Sequence, residues 1–221
     1  MEKRLKSGHI LRIPLPHNWG FAYAKYLNIL GVAGNNSYPD LLKVFDYRSS
    51  ADEQVPVASL TNYLMQPILL AGRLPILREQ RWQIVGELPV LPEDGLLPDF
   101  RVPDYVIADR MSTPKQPNPG NTFYTQNIAL GPLLETALAN VAHLEFLEAS
   151  PADAIETAIT ICLMLNEGMN VAEHVDLSDP DEEYVYGIYG SRPLANSLPR
   201  HLYGRARQIG DEGYIDNDSK Q

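Results

Sequence analysis

Two apolar runs set against each other across a short polar corner open this chain, and no other stretch restricts its fold as much. The first, Gly8-His9-Ile10-Leu11-Arg12-Ile13-Pro14-Leu15-Pro16, has in Ile10, Leu11, Ile13 and Leu15 the residues that suit a strand and carries prolines where a strand would end. The second, Trp19 to Leu27, has the aromatic-rich composition that a pleated, half-buried surface favours. With His17-Asn18 between them, Lys6 to Leu27 predicts an opening β-hairpin. The Asn-Gly signal of a two-residue turn is missing, so a longer connection is expected.

Further along, Gly31 to Pro39 reads as a loop and Leu41-Leu42-Lys43-Val44-Phe45-Asp46-Tyr47 as a strand. A short helix is expected within Val55 to Met65, capped by Ser59 and ended by Pro67. In Arg81-Trp82-Gln83-Ile84-Val85-Gly86, Trp82, Ile84 and Gly86 alternate with the others, which predicts a strand. Seven prolines between Glu87 and Asn121 then forbid a long helix. Short edge strands at Phe100-Arg101-Val102 and Tyr105-Val106-Ile107-Ala108 still fit, with Met111 to Thr122 as a linker.

Beyond Asn121 the period changes. Apolar residues from Ile128 to Leu147 recur at three- and four-residue steps, which predicts an amphipathic helix running to about Glu148. Ser150-Pro151-Ala152-Asp153 has the chemistry of a helix start, and Gly168 suits its end, so a second helix packed antiparallel to the first is expected. An acidic run, Asp176 to Glu183, precedes a tyrosine-rich stretch, Tyr184 to Gly190, that reads as a strand. Ser191 to Tyr203 looks irregular and the polar tail from Gly210 frayed. The expected class is α+β: an N-terminal twisted antiparallel sheet with barrel-like closure open to it, and a C-terminal antiparallel helix pair. The two regions, 1–110 and 123–221, are expected to pack as one compact unit of ordinary globular composition, 44% hydrophobic and 21% charged.

A formal net charge of −10 argues against a nucleic-acid binder, which needs clustered Lys and Arg. The single cysteine, Cys162, excludes an intrachain disulfide and fits a reducing compartment. No run of about 18 apolar residues predicts a membrane span, and the N-terminal basic residues lack an apolar core behind them, so a cytoplasmic protein without membrane partners is expected. Self-association is left open.

The signatures of catalysis are missing: there is no G-x-S-x-G, no phosphate-cradling loop and no H-E-x-x-H. Cys162 falls on the apolar stripe of a predicted helix, the usual setting of an inert thiol. A metal-dependent hydrolase would have to use His143 with Glu145 or Glu148, whose spacing does not place ligands on one helical face. No catalytic residue, metal or cofactor is therefore expected. Asp176, Asp179, Asp181, Glu182, Glu183, Tyr184 and Tyr186 combine carboxylates with tyrosine, a mixture suited to recognising a basic partner. The competing account is a solvated acidic loop in front of a sheet strand.

Gly8, the run Ile10 to Pro16, Trp19-Gly20-Phe21-Ala22, Val44-Phe45-Asp46, Arg81-Trp82-Gln83-Ile84-Val85-Gly86 and Pro98-Asp99-Phe100-Arg101 follow one another in an order and spacing that resembles the immunity protein 26 family of bacterial polymorphic toxin systems. The likeness covers about the first half of the chain. It implies an α+β antidote, cytoplasmic and without catalysis, that binds the catalytic domain of a cognate toxin, such as a basic nuclease. An adaptor of a secretion or phage-derived system, docking through the N-terminal sheet, is the remaining rival.

Overall fold

The computed structural model describes residues 5–29, 40–50, 55–72, 76, 81–103, 116–127 and 133–216. Strands β1 (His9–Pro14) and β2 (Phe21–Asn28) form the expected hairpin, with Pro14 paired to Phe21 and Ile10 to Lys25. The connection is long, as the absent Asn-Gly requires: Leu15 donates to the Gly20 carbonyl at 2.9 Å, and His17 and Asn18 both take positive φ. Gly20 closes it at φ +87°, where a Cβ would lie 2.3 Å from the Ser49 carbonyl oxygen, so no side chain fits.

Strand β3 (Asp40–Ser49) pairs antiparallel with β2, and β4 (Ile68–Leu70) pairs antiparallel with β3. Strand β5 (Gln83–Glu87) adds to the other side of β1. A two-residue strand β9 (Ala149–Ser150) joins β4 in parallel, giving the order β5-β1-β2-β3-β4-β9. A second sheet holds β6 (Phe100–Arg101), β7 (Asn121–Thr125) and β8 (Leu134–Ala137), all antiparallel. The first sheet ends in β5 on one side and β9 on the other, and these do not pair, so the barrel-like closure is excluded.

The helix pair is also corrected. Among the described residues the C-terminal region has three α-helices: α1 (Leu138–Val141), α2 (Ala152–Asn166) and α3 (Pro180–Tyr189). The long helix expected up to Glu148 is instead β8, the single turn α1, and an extended stretch. Its apolar residues go to different places: Val141 and Leu144 to one cluster, Leu147 to another. Backbone bonds explain this, since Arg101 donates to the Glu145 carbonyl and Leu147 to that of Arg101, which holds 145–147 alongside β6. Sheet pairing overrides the helical spacing.

The tyrosine-rich stretch is α3 rather than a strand, with Val185 and Tyr189 buried four residues apart. The helix expected between Val55 and Met65 is only a 3-10 turn, Val57–Ser59, with chain beyond it running along β3. The loop 31–39, the edge strand 105–108, residues 111–115 of the expected linker, residues 128–132 of the expected helix and the tail's last residues lie outside the described residues.

The main core lies between one face of the large sheet, carrying Leu11, Ile13, Ala24, Tyr26 and Val44, and α2, carrying Ile155, Ile159 and Cys162. Trp82 Nε1 and the Arg81 guanidinium both donate to Glu156 of α2, at 2.6 to 2.7 Å, so the Arg81-Trp82 pair fastens β5 to the helix. Asp99 is buried and accepts from the Asn127 and Ala206 amides, tying the small sheet to the C-terminal segment. Several residues that carry the family likeness thus have structural duties.

Candidate functional site

Alternation along β2 and β3 sends Tyr23, Lys25 and Leu27, with Leu41, Lys43 and Phe45, to the sheet face away from α2. Lys25 and Lys43 stand directly opposite each other in the register, 3% and 6% exposed. Like charges so placed repel, and burial removes the water that would screen them. The 3-10 turn Pro92–Gly95 supplies the answer by inserting Asp94 between them. Its Oδ2 accepts from Lys25 Nζ at 2.5 Å and its Oδ1 from Lys43 Nζ at 2.7 Å, while the Leu91 amide donates to Oδ2 at 2.9 Å. Burial pushes the Asp94 carboxyl up, but the bonds from Lys25, Lys43 and Leu91 outweigh it and hold it below the usual carboxylate range.

These lysines line a cleft of about 760 Å³. One wall is aromatic. Tyr63 stacks on Phe45 at 5.3 Å and on Tyr203 at 4.4 Å, and Lys43 Nζ lies about 6 Å from both tyrosine rings. Tyr63 is placed by chain pairing along β3, through Leu64 N donating to the Val44 carbonyl. Tyr203 is placed by the turn Arg200–Leu202 and by Gly204, whose amide donates to Gln66 Oε1 at 2.6 Å and whose carbonyl accepts from Asp99. Gly204 sits at φ +67° with Pro98 only 3.1 Å from where a Cβ would be. Burial, then the charges of Asp94 and Glu93, push the Tyr63 phenol up to about 12. The Tyr203 phenol is raised too, chiefly by burial, and its hydroxyl has no hydrogen-bond partner among the described residues.

The expected acidic surface has a different character. Asp179 caps α3, accepting from the Asp181 amide at 2.9 Å, and Pro180 takes the first helical position. Asp176 accepts from the Ser178 hydroxyl and amide, which hold its carboxyl below the usual range. Glu182 is shared between His17 Nε2 at 2.9 Å and the Asp176 amide at 2.7 Å, so it ties the helix start to the hairpin corner. Tyr186 packs against the main core, while Asp176, Asp179, Asp181, Glu183 and Tyr184 are exposed.

His143 and Glu145 do not converge. His143 Nε2 donates to the Arg205 carbonyl at 2.8 Å, and burial lowers its pKa, with Arg207 nearby adding to the effect. Glu145 pairs with Arg192 and accepts from the Tyr189 hydroxyl at 2.9 Å, while Glu148 is exposed. Cys162 is buried in the core, its thiol pushed well up by desolvation. Among the described residues no group of three His, Cys, Asp or Glu side chains is arranged to hold a metal, and no helix is long and apolar enough to cross a membrane.

The cleft went unread in the sequence. Its signal was present in Tyr23-Ala24-Lys25-Tyr26-Leu27 and Leu41-Leu42-Lys43-Val44-Phe45, where a lysine keeps phase with apolar residues in mid-strand. Nothing local announces Asp94, Tyr63 or Tyr203 as their neighbours.

This is a two-sheet α+β protein whose large sheet carries helices on one face and a lysine-floored cleft on the other. Residues 6–109, just under half of the chain, match the family model described as Immunity protein 26, so this part of the chain is similar to immunity proteins of that family. The match takes in β1 to β6, Tyr63 and the Lys25–Asp94–Lys43 group, and leaves out Tyr203 and all three helices. No curated protein and no solved structure matches.

Proposed function

We propose that this chain is a cytoplasmic immunity protein that neutralises a cognate toxin domain by binding it. The family match over residues 6–109 carries the reading. The net charge of −10 supports it, because an acidic antidote is drawn to a basic toxin such as a nuclease, and complementary charge speeds and orients capture. Of the acidic and tyrosine residues at 176–186, Asp176, Asp179, Asp181, Glu183 and Tyr184 are exposed, and Asp181, Glu183 and Tyr184 are the ones offered to a partner, because Asp176 and Asp179 are already engaged by Ser178 and the Asp181 amide. Asp176, Asp179 and Glu182 hold the helix start in place, and Tyr186 packs on the core.

The test is co-expression with the toxin-like domain encoded beside this chain, scoring survival and co-elution on a sizing column. Survival with a stable complex is expected. Death of the cells with no complex would end the antidote reading. In a surviving pair, charge reversal at Asp181 and Glu183 together is expected to slow association at low salt, and an unchanged rate would move the interface elsewhere.

A further inference from the structure

The cleft holds more positive charge than its own buried residues balance. Lys25 and Lys43 share the single carboxylate of Asp94. Lys25 Nζ also donates to the Pro89 carbonyl at 2.7 Å, whereas Lys43 Nζ has one hydrogen bond among the described residues, to Asp94. An ammonium carries three donors, so Lys43 keeps two for a ligand. A buried cation is stable when paired and hydrogen-bonded, and an anionic group beside Lys43 completes that pairing.

The surroundings favour an organic anion over an inorganic one. The apolar part of the wall is Phe45, Leu60, Leu88 and the Tyr63–Tyr203 stack, and Leu91 and Leu96 stand on the lip 44% and 62% exposed. Of the other charged residues in the lining, Arg200 and Arg205 outnumber Glu93. A cavity of about 760 Å³ with apolar walls and a few converging polar groups has the dimensions of a small-molecule site. A bare phosphate would leave most of the wall wet, and a neutral apolar molecule would leave Lys43 half satisfied. Since the chain as a whole carries −10, affinity for anions has to come from this local excess.

We infer that the cleft binds a small organic anion, with its charged head on Lys43 Nζ and its apolar body against Tyr63, Tyr203 and Leu91.

Two fluorescent probes with one aryl body test it: 8-anilinonaphthalene-1-sulfonate, which is anionic, and N-phenyl-1-naphthylamine, which is not. Titrated into the purified chain, the sulfonate is expected to occupy one site and to bind about tenfold or more tighter than the neutral probe, as a charge-assisted bond implies. Lys43→Met should abolish that preference while leaving the neutral probe as before. This variant removes the unbalanced cation and leaves Lys25 and Asp94 paired one to one, so it is expected to fold, which a thermal melt checks. Ala58→Trp, at an exposed position on the cleft wall, fills the space without touching the charges and should exclude both probes. Failure of the sulfonate to bind, equal affinity for the two probes, or sulfonate affinity unchanged in either folded variant would overturn the assignment.

Discussion

The start of α3 and the lysine cleft both gather charge, and they handle it in opposite ways. At α3 the carboxylates are neighbours in sequence and mostly at the surface, and their partners are local, backbone amides and Ser178, except for His17 of the hairpin corner. In the cleft the charges come from positions 25, 43 and 94, are buried, and depend on one another. A charge run in sequence here solves a local problem, the capping of a helix N-terminus. A charge cluster made by the fold has no local problem to solve, which is why it is the better place to look for a ligand.

The most severe way to test this contrast is to remove Asp94. Asp94→Ala leaves two buried ammonium groups facing each other, and breaking a buried pair in this way typically costs about 3–5 kcal/mol. Urea unfolding measures it. A loss below about 1 kcal/mol would mean that water reaches both lysines, and the cleft would then be no different in kind from the surface at α3.

Acid gives a gentler version. The Asp94 carboxyl is held below its ordinary value of 3.8, so its contribution is present above that value and is lost as pH falls through the lower folded pKa. Asp94→Asn has no such contribution to lose. The stabilities of wild type and Asp94→Asn should therefore converge as the pH drops below about 4, and a constant gap down to low pH would remove the ionised carboxylate from the account.

What was legible in the sequence follows the same division. The opening hairpin, β3, β5 and α2 are each specified by a few consecutive residues, and all are present. Residues 128–148 read as a helix because their apolar spacing is helical, but pairing of 134–137 with β7 and of 145–147 with β6 dictates extended chain on either side of the single turn α1, information held about ten to forty-five residues away. In α3 the capping signals Asp179 and Pro180 were in plain view, and the tyrosines and valine behind them argued for a strand. There local chemistry won, because Val185 and Tyr189 could still reach the core from one helical face. The cleft needed β2, β3, the turn at 92–95 and the segment at 203 to meet, and only the fold brings them together.

At α3 the expected losses are smaller. Asp179→Ala removes the cap on the Asp181 amide and should cost about 1 kcal/mol, the usual worth of such a cap. Because Glu182 of the same first turn reaches His17, the loss should be felt in the hairpin corner as faster amide exchange at residues 16–19. Protection unchanged there would mean that the helix start frays without disturbing the sheet.

The smallest effect discriminates best between the two regions, because salt separates exposed charge from buried charge. Asp181 and Glu183 lie in the first turn of α3, where carboxylates complement the helix dipole, and both are exposed. Neutralising them together, as Asp181→Asn with Glu183→Gln, should cost a few tenths of a kcal/mol at low ionic strength, and about 1 M salt should erase the difference because the screening length there is only about 3 Å. The loss in Asp94→Ala should persist for the most part at the same salt, since Lys25 and Lys43 are almost wholly buried and screening acts least on buried charge. If both differences faded together, the cleft would be open to solvent ions and its excess charge already neutralised. If neither faded, the carboxylates of α3 would be acting through specific bonds rather than through the helix field.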